Sequence, residues 1–460
     1  MRVCMILEGC YPYTRGGVSS WVNDYIKSSP DTEYVLWTIH AKRSDAQKMM
    51  YRLPENVVEF KKVFLEDAYL ECEKKESEEI YAILLDSLNA FLFGGNYSDA
   101  IKNCRERAFS PSEIAHSNAF LDFAVRVSEK TGTLGLAEAF YGLRSILLPV
   151  IYLLNQDIPN ADIYHSAVAG YGGLLGAVAK TVTGKPFILS EHGLYPRERE
   201  EELLINDWLS DGLRDIWIEF FYNLSRSAYD SADKVTALFE DAIMRQRAIG
   251  CDKEKCSFVH NGIYVERFSD IPDREDDGYI NIGAFIRFAP IKDIKTLIYV
   301  FNNLKNSMEN TRLYIFGGTD DKAYKKECLE IIKELRLCDV YILGFVDTVE
   351  YMKQLDLTIM TSISEGQPLA ILESLAAGRP CVVTNVGSCK EIVEGKNPNE
   401  KAGICCSPMD VEGITQALKN LCQNKELRKQ YGENGRRIIA ENYTHELMMK
   451  KYFKVYQEVL

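Results

Sequence analysis

Between Tyr279 and Cys406 the chain repeats one pattern, a short apolar run of β-forming residues followed by a helical stretch. The runs are Tyr279–Phe285, Arg312–Phe316, Val340–Leu343, Leu357–Thr361, Pro380–Thr384 and Gly403–Cys406. Most are separated by about 10–15 helical residues, the length a parallel crossover needs. Runs of this kind fold as a parallel sheet with helices on both faces. An earlier series of strand-like runs has the same character: Arg2–Leu7, Glu33–His40, Val57–Val63, Asp162–Ala167, Pro186–Ser190, Lys234–Leu238 and Cys256–His260. A chain of 460 residues is too long for one ordinary core. The pattern therefore predicts an α/β protein of two domains. The polar break Asp270–Gly278 sets them at 1–272 and 273–435, with a C-terminal helix over 436–460. From about Leu65 to Leu154 the periodicity becomes helical and densely charged, as in the run from Glu71 to Glu79. It reads as a helical insertion without a sustained heptad.

Composition removes several function classes. A formal charge of −13 argues against nucleic acid as a partner, because phosphate contacts need a basic surface. Thirteen cysteines include no C-x-x-C pair, and Cys4, Cys381 and Cys405 sit in apolar, strand-like runs. With six dispersed histidines, the expectation is reduced thiols, no metal site and a cytoplasmic location. The first apolar run meets Glu8 too soon for a secretory leader. Ser145–Leu154 is about half the roughly 20 residues that span a bilayer.

Three stretches could carry chemistry. In the first, Leu357–Thr361 runs through a polar loop into a helix that Pro368 opens and Gly378 closes. A strand, loop and helix in this order present unpaired N–H groups to an anion in an open α/β sheet. Glu365 lies in the loop. Glu373 lies on the helix, on one face with Gly366, Ala370 and Ala377. A solvated helical glutamate gives the same pattern, but a carboxylate among small neighbours also suits sugar or ribose hydroxyls. In the second, Arg287 and Lys292 precede a helix whose positive end they oppose, a conflict that a bound pyrophosphate would resolve and that solvent exposure would also relieve. In the third, Gly16-Gly17 before a helix from about Ser19 is either a plain turn or a close approach for phosphate. His192, at the end of a strand and flanked by Glu191 and Arg197, is either a structural loop residue or a site residue at the crevice of such a sheet.

In combination, Glu365 through Glu373 resembles the E-x7-E motif of the retaining GT-B glycosyltransferases of family 4. Agreeing in order are Gly16-Gly17, Ala232-Asp-Lys-Val235, His260-Asn-Gly-Ile263 with Glu266-Arg-Phe268, the Arg287/Lys292 pair and Gly344-Phe-Val346. The stretches Glu8–Trp21 and Ser190–Gly193 with Arg197-Glu-Arg199 look like the PelF-type enzymes of Pel exopolysaccharide systems. The resemblance implies a GT-B fold: two Rossmann-like domains facing a cleft, the helical insertion in the first, and a C-terminal helix crossing back onto it. It implies that Arg287 and Lys292 bind the diphosphate, Glu365 the donor sugar, Glu373 the ribose and main-chain groups of Val346 the base. Gly16 and Gly17 would meet phosphate, and His192 would lie beside the sugar. Relatives often carry Phe-Gly where this chain has Gln367-Pro368. Proline lacks an N–H, so donor contacts would come from Gly366, Gln367, Leu369 or Ala370. The implied activity moves a hexose or N-acetylhexosamine from a UDP-sugar to a polysaccharide acceptor, with no cofactor and no metal. Its implied partner is an inner-membrane Pel-type synthase and export complex. A GT-B sugar-nucleotide epimerase and an inactive nucleotide-sugar-binding subunit are the alternative readings.

Overall fold

Each strand-like run becomes a strand, and every pairing between strands is parallel. In the computed structural model, which describes residues 1–70, 76–106, 110–205, 209–395 and 397–460, the chain divides into two units. The first, Met1–Phe258 with Tyr452–Leu460, contains β1 (Arg2–Glu8), β2 (Glu33–His40), β3 (Val57–Phe64), β4 (Ile163–Ser166), β5 (Phe187–Ser190), β6 (Lys234–Ala237) and β7 (Cys256–Phe258). Their order is β3-β2-β1-β4-β5-β6-β7, so the progression of strand order reverses between β1 and β4 while all strands stay parallel. Helix α1 (Gly17–Lys27) follows β1. The insertion holds α2 (Glu78–Phe93), α3 (Tyr97–Arg105), α4 (Pro111–Ala115), α5 (Asn118–Thr131) and α6 (Leu136–Leu154). Residues 71–75 of its charged run lie outside the described residues. Then come α7 (Tyr171–Thr183), α8 (Tyr195–Ile205), α9 (Asp211–Ser231) and α10 (Glu240–Ile249).

The second unit, Val259–Lys451, opens with α11 (Glu266–Ser269) and orders its six strands β10-β9-β8-β11-β12-β13. These are β8 (Ile280–Phe285), β9 (Thr311–Phe316), β10 (Val340–Gly344), β11 (Leu357–Met360), β12 (Cys381–Thr384) and β13 (Gly403–Cys406). Between and after them run α12 (Ile294–Lys305), α13 (Lys322–Glu334), α14 (Thr348–Met352), α15 (Leu369–Ala376), α16 (Cys389–Glu394), α17 (Val411–Gln423), α18 (Lys425–Asn442) and α19 (His445–Val459). Both sheets thus have the Rossmann order, in which the crevice at the reversal point is the ligand position.

Apolar burial explains the elements. Val3–Leu7 and Val382–Val383 are fully buried from both faces, as a central parallel strand requires. The unit division falls at Phe258/Val259, ahead of Asp270–Gly278, because Ile263, Phe268 and Ile271 join the second core. The C-terminal tail is two helices, not one. Ile263 N donates to Tyr443 O (2.9 Å) and His445 N to Ile263 O (2.9 Å), and this pairing breaks the helix between α18 and α19. The apolar stretch at Ser145–Leu154 is the end of the longer α6. By length and composition α6 could cross a membrane, yet Ile146, Leu147, Leu148, Val150 and Ile151 are fully buried in the first unit.

Candidate functional site

In the second unit, the turns after β8 and β11 are cross-braced at the reversal point of the sheet. After β8, Ile286 N donates to Phe316 O (2.8 Å) and Phe288 N to Gly318 O (2.9 Å). Gly317 allows this crossing: its φ is +146, and a Cβ there would stand 2.1 Å from Ile286 O. Arg287 projects from the turn, about half exposed, and pairs with Asp320. Pro290–Lys292 forms a short 3₁₀ turn. Asp293 then caps α12 by accepting from Thr296 N (3.3 Å). From the β11 side, Thr361 Oγ1 donates to Asp293 O (3.0 Å) and Ile363 N to Ile291 O (2.9 Å).

Across this brace Lys292 Nζ donates to Glu365 Oε1 at 2.6 Å, and Ser362 Oγ donates to the same oxygen at 2.6 Å. The two charged side chains are only 15% and 13% exposed. The conflict between two cations and a helix N-terminus is therefore met by carboxylates: Glu365 for Lys292 and Asp320 for Arg287. The result is a preset pair of cations at a helix N-terminus, an arrangement that can receive a phosphate oxyanion.

The rest of the motif is placed around that pair. Gly366 O accepts from Ser388 N (3.0 Å), and Gly387, with φ +54, passes so close that a Cβ would meet Gly366 O at 2.1 Å and Glu365 O at 2.4 Å. Pro368 is the N-cap of α15, Leu369 begins that helix, and Glu373 lies half-buried within it. The Gln367 side chain turns inward: its Oε1 accepts from Asn261 N at 2.5 Å, and its own carbonyl accepts from Asn261 Nδ2 at 3.3 Å. That side chain anchors the 260–262 turn. Val346 follows Gly344, whose φ is +69, and is partly packed against the core, while Phe345 between them is 63% exposed. Gly317, Gly318, Asp320 and Gly387 were not singled out by the sequence. The Gly-Gly pair after β9 was a visible signal. Gly387 had none short of the fold.

In the first unit, Gly16 is the N-cap of α1, and a Cβ on Gly16 or Gly17 would meet nothing within 4 Å. Packing therefore does not demand these glycines, and the N-terminus of α1 stays open on that side. His192 stands edge-on to Trp21 of α1, with ring centroids 4.4 Å apart. Burial lowers the His192 pKa to about 4, so the ring is neutral. Its Nε2 and the Trp21 Nε1 are both buried without a hydrogen-bond partner among the described residues. One hydroxyl can satisfy both, accepting from the indole N–H and donating to the imidazole. Trp21 was seen in the sequence only as the end of a motif, with no role. Behind it, His165 bridges Tyr456 Oη (2.8 Å) and Ser190 Oγ (2.7 Å), which fixes the end of α19 to β4 and β5.

Glu191 points to the other side of β5. Tyr229 Oη (2.6 Å) and Gln246 Nε2 (2.8 Å) donate to its Oε2, and the group is 5% exposed. Burial raises its pKa from 4.5 to about 7, so protonation favours the folded state. Its stabilising effect is complete below pH 4.5 and is lost as pH rises towards 7. Glu191→Gln should therefore gain stability relative to the parent between pH 4.5 and 8, by roughly 3 kcal/mol. Urea melts of both proteins across that range check the sign.

Residues 1–254 match the domain of unknown function DUF3492, and residues 272–438 match the glycosyl transferases group 1 model. The uncharacterized glycosyltransferase MJ1178 of Methanocaldococcus jannaschii is 24% identical over 306 residues, covering 65% of this chain and 76% of the relative. N-acetyl-alpha-D-glucosaminyl L-malate synthase of Bacillus anthracis is 25% identical over 249 residues, covering 52% and 63%. Among solved structures, Anabaena Alr3699/HepE in complex with UDP superposes over the full length of both chains with a TM-score of 0.64 at 14% identity.

Proposed function

We infer that this chain, a glycosyltransferase of the GT-B fold that belongs to the DUF3492 family and carries a glycosyl transferases group 1 domain, takes its sugar from a UDP-linked donor. The sugar is a hexose or N-acetylhexosamine, the acceptor a growing exopolysaccharide, and the anomeric configuration is retained. One observation carries this reading: the Lys292–Glu365 pair, with Arg287 beside it, sits at the reversal point of the second sheet. The UDP held by the structurally similar HepE supports the choice of base.

In this reading Arg287 and Lys292 hold the diphosphate and take up the charge that grows on it as the glycosidic bond breaks, which needs no divalent metal. Glu365 aligns Lys292 and receives sugar hydroxyls, and Glu373 receives the ribose. Main-chain groups of Val346 read the base, and Gly366 and Leu369 line the sugar side. The acceptor oxygen bonds to the anomeric carbon on the face the diphosphate leaves, and the leaving oxygen takes the acceptor's proton. In the first unit, taken by itself, the open N-terminus of α1 at Gly16-Gly17 offers main-chain N–H groups to a phosphate, and the Trp21–His192 pair offers a place for one sugar hydroxyl. The PelF-like stretches Glu8–Trp21 and Ser190–Arg199 support a cytoplasmic reaction, held at the inner face of the membrane by a Pel-type partner complex.

Incubation with UDP-glucose, UDP-N-acetylglucosamine or UDP-N-acetylgalactosamine, with and without an oligosaccharide acceptor, tests this. Proton NMR should show an α-linked product with one donor and only slow UDP release without acceptor. An epimerised UDP-sugar formed from donor alone, or a β-linked product, would overturn the reading.

A further inference from the structure

We propose that the second unit carries a second anion site, a cavity of about 490 Å³ at the end of its strands opposite Lys292 and Glu365, which takes a small soluble phosphomonoester. The cavity lies against Leu355-Asp356, which lead into β11, against Gly378–Pro380, which lead into β12, and against one face of α18. Lys292 and Glu365 follow the ends of strands, whereas these segments precede their starts. The site is thus separate from the proposed donor site and does not rest on it.

Its charge balance points to an anion. Six cationic side chains line the cavity: Arg274, Arg379, Lys425, Arg428, Lys429 and Arg436. Arg274 is neutralised by Asp356 (2.8 Å) and Asp277 (2.7 Å). The other three arginines are held by main-chain carbonyls. Arg379, 3% exposed, donates to Met352 O (3.0 Å) and Pro272 O (2.5 Å); the nearest carboxylate, Asp273, is 3.9 Å away and faces solvent. Arg428 donates to Leu421 O (2.7 Å) and Cys422 O (2.8 Å). Arg436 donates to Ile271 O (2.7 Å) and Ala377 O (3.2 Å), while its Nε is buried with no hydrogen-bond partner among the described residues.

Carbonyls orient a guanidinium but carry no net charge to cancel it, and buried charge without a counter-ion is costly. Glu426 and Glu433 also line the cavity, but both are exposed. Burial lowers the Arg379 pKa; Asp273 and Asp356 oppose this, while Arg436 and Arg274 add to it. Two glycines let α18 and the 378 turn approach closely, which sets Arg436 against that turn. A Cβ on Gly378 would stand 2.7 Å from Arg436 Nε, and one on Gly432 2.4 Å from Gly378 O. Guanidinium forks suit phosphate oxygens, and the volume leaves room for an organic group beyond the phosphate.

Calorimetric titration of glycerol 3-phosphate, with glycerol as the uncharged control, tests the site. It is run on protein saturated with UDP and in parallel on Lys292→Ala protein, so that the donor site does not contribute. UDP binding is read separately, so its failure would be visible on its own. Saturable binding is expected, weakened about tenfold or more in Arg436→Gln and in Lys425→Glu/Lys429→Glu. The rim double variant changes only exposed side chains and decides the question if Arg436→Gln does not fold. No saturable binding, or binding unchanged in the rim variant, would overturn the proposal. Vesicles containing phosphatidic acid should not sediment the protein; sedimentation that the rim variant loses would replace the soluble ligand with a lipid headgroup.

Discussion

Lys292→Ala should lower kcat for sugar transfer by about 10²–10³, the loss typical of removing one preorganised group from a developing anion. Lys292 sits at the reversal point of the second sheet, where the Thr361 and Ile363 bonds hold the β11 turn against the 3₁₀ turn that carries it, and Ser362 holds Glu365 within its loop. Little reorganisation is then needed when charge moves onto a diphosphate oxygen. The variant also leaves Glu365, 13% exposed, with Ser362 as its remaining side-chain donor, so the melting temperature should fall as well. Arg287→Ala is the informative contrast. Its pair with Asp320 is about half exposed, so turnover should drop with little change in stability. Steady-state kinetics and thermal melts on both variants separate the two effects.

Gly387→Ala should cost about 10² in kcat/KM although residue 387 bears no functional side chain. At φ +54 an alanine is strained by about 1–2 kcal/mol, and its Cβ would overlap Gly366 O at 2.1 Å. Only backbone lies in the way, so the Glu365–Gly366 turn must shift, and Glu365 moves relative to Lys292. Gly16→Ala is the control. Its φ of 172 is ordinary extended backbone and a Cβ there meets nothing, so stability should hold. A normal kcat/KM in Gly387→Ala would mean that the 365–366 turn does not need its present position.

The parallel sheets were legible in the sequence because fully buried strands are apolar runs that need no partner to be noticed, as Val3–Leu7 and Leu357–Met360 show. What the sequence did not reveal depends on non-local neighbours. The tail looked continuous because nothing within Lys425–Leu460 announces that Ile263 will pair with Tyr443 and His445. Nothing around Gln367 announces that its side chain will pair with the main chain of Asn261. Gly387 and Gly317 gain importance only when another turn passes within contact of them. The cations at 287 and 292 were visible, but the sequence could not say that Asp320 and Glu365 would hold them.

The central claim is that Lys292 and Glu373 belong to one UDP-binding site in the second unit. Isothermal titration of UDP into the parent protein, Lys292→Ala and Glu373→Ala tests it most directly. Saturable binding to the parent is expected, with affinity lower by about tenfold or more in each variant. Unchanged affinity in both variants would contradict it.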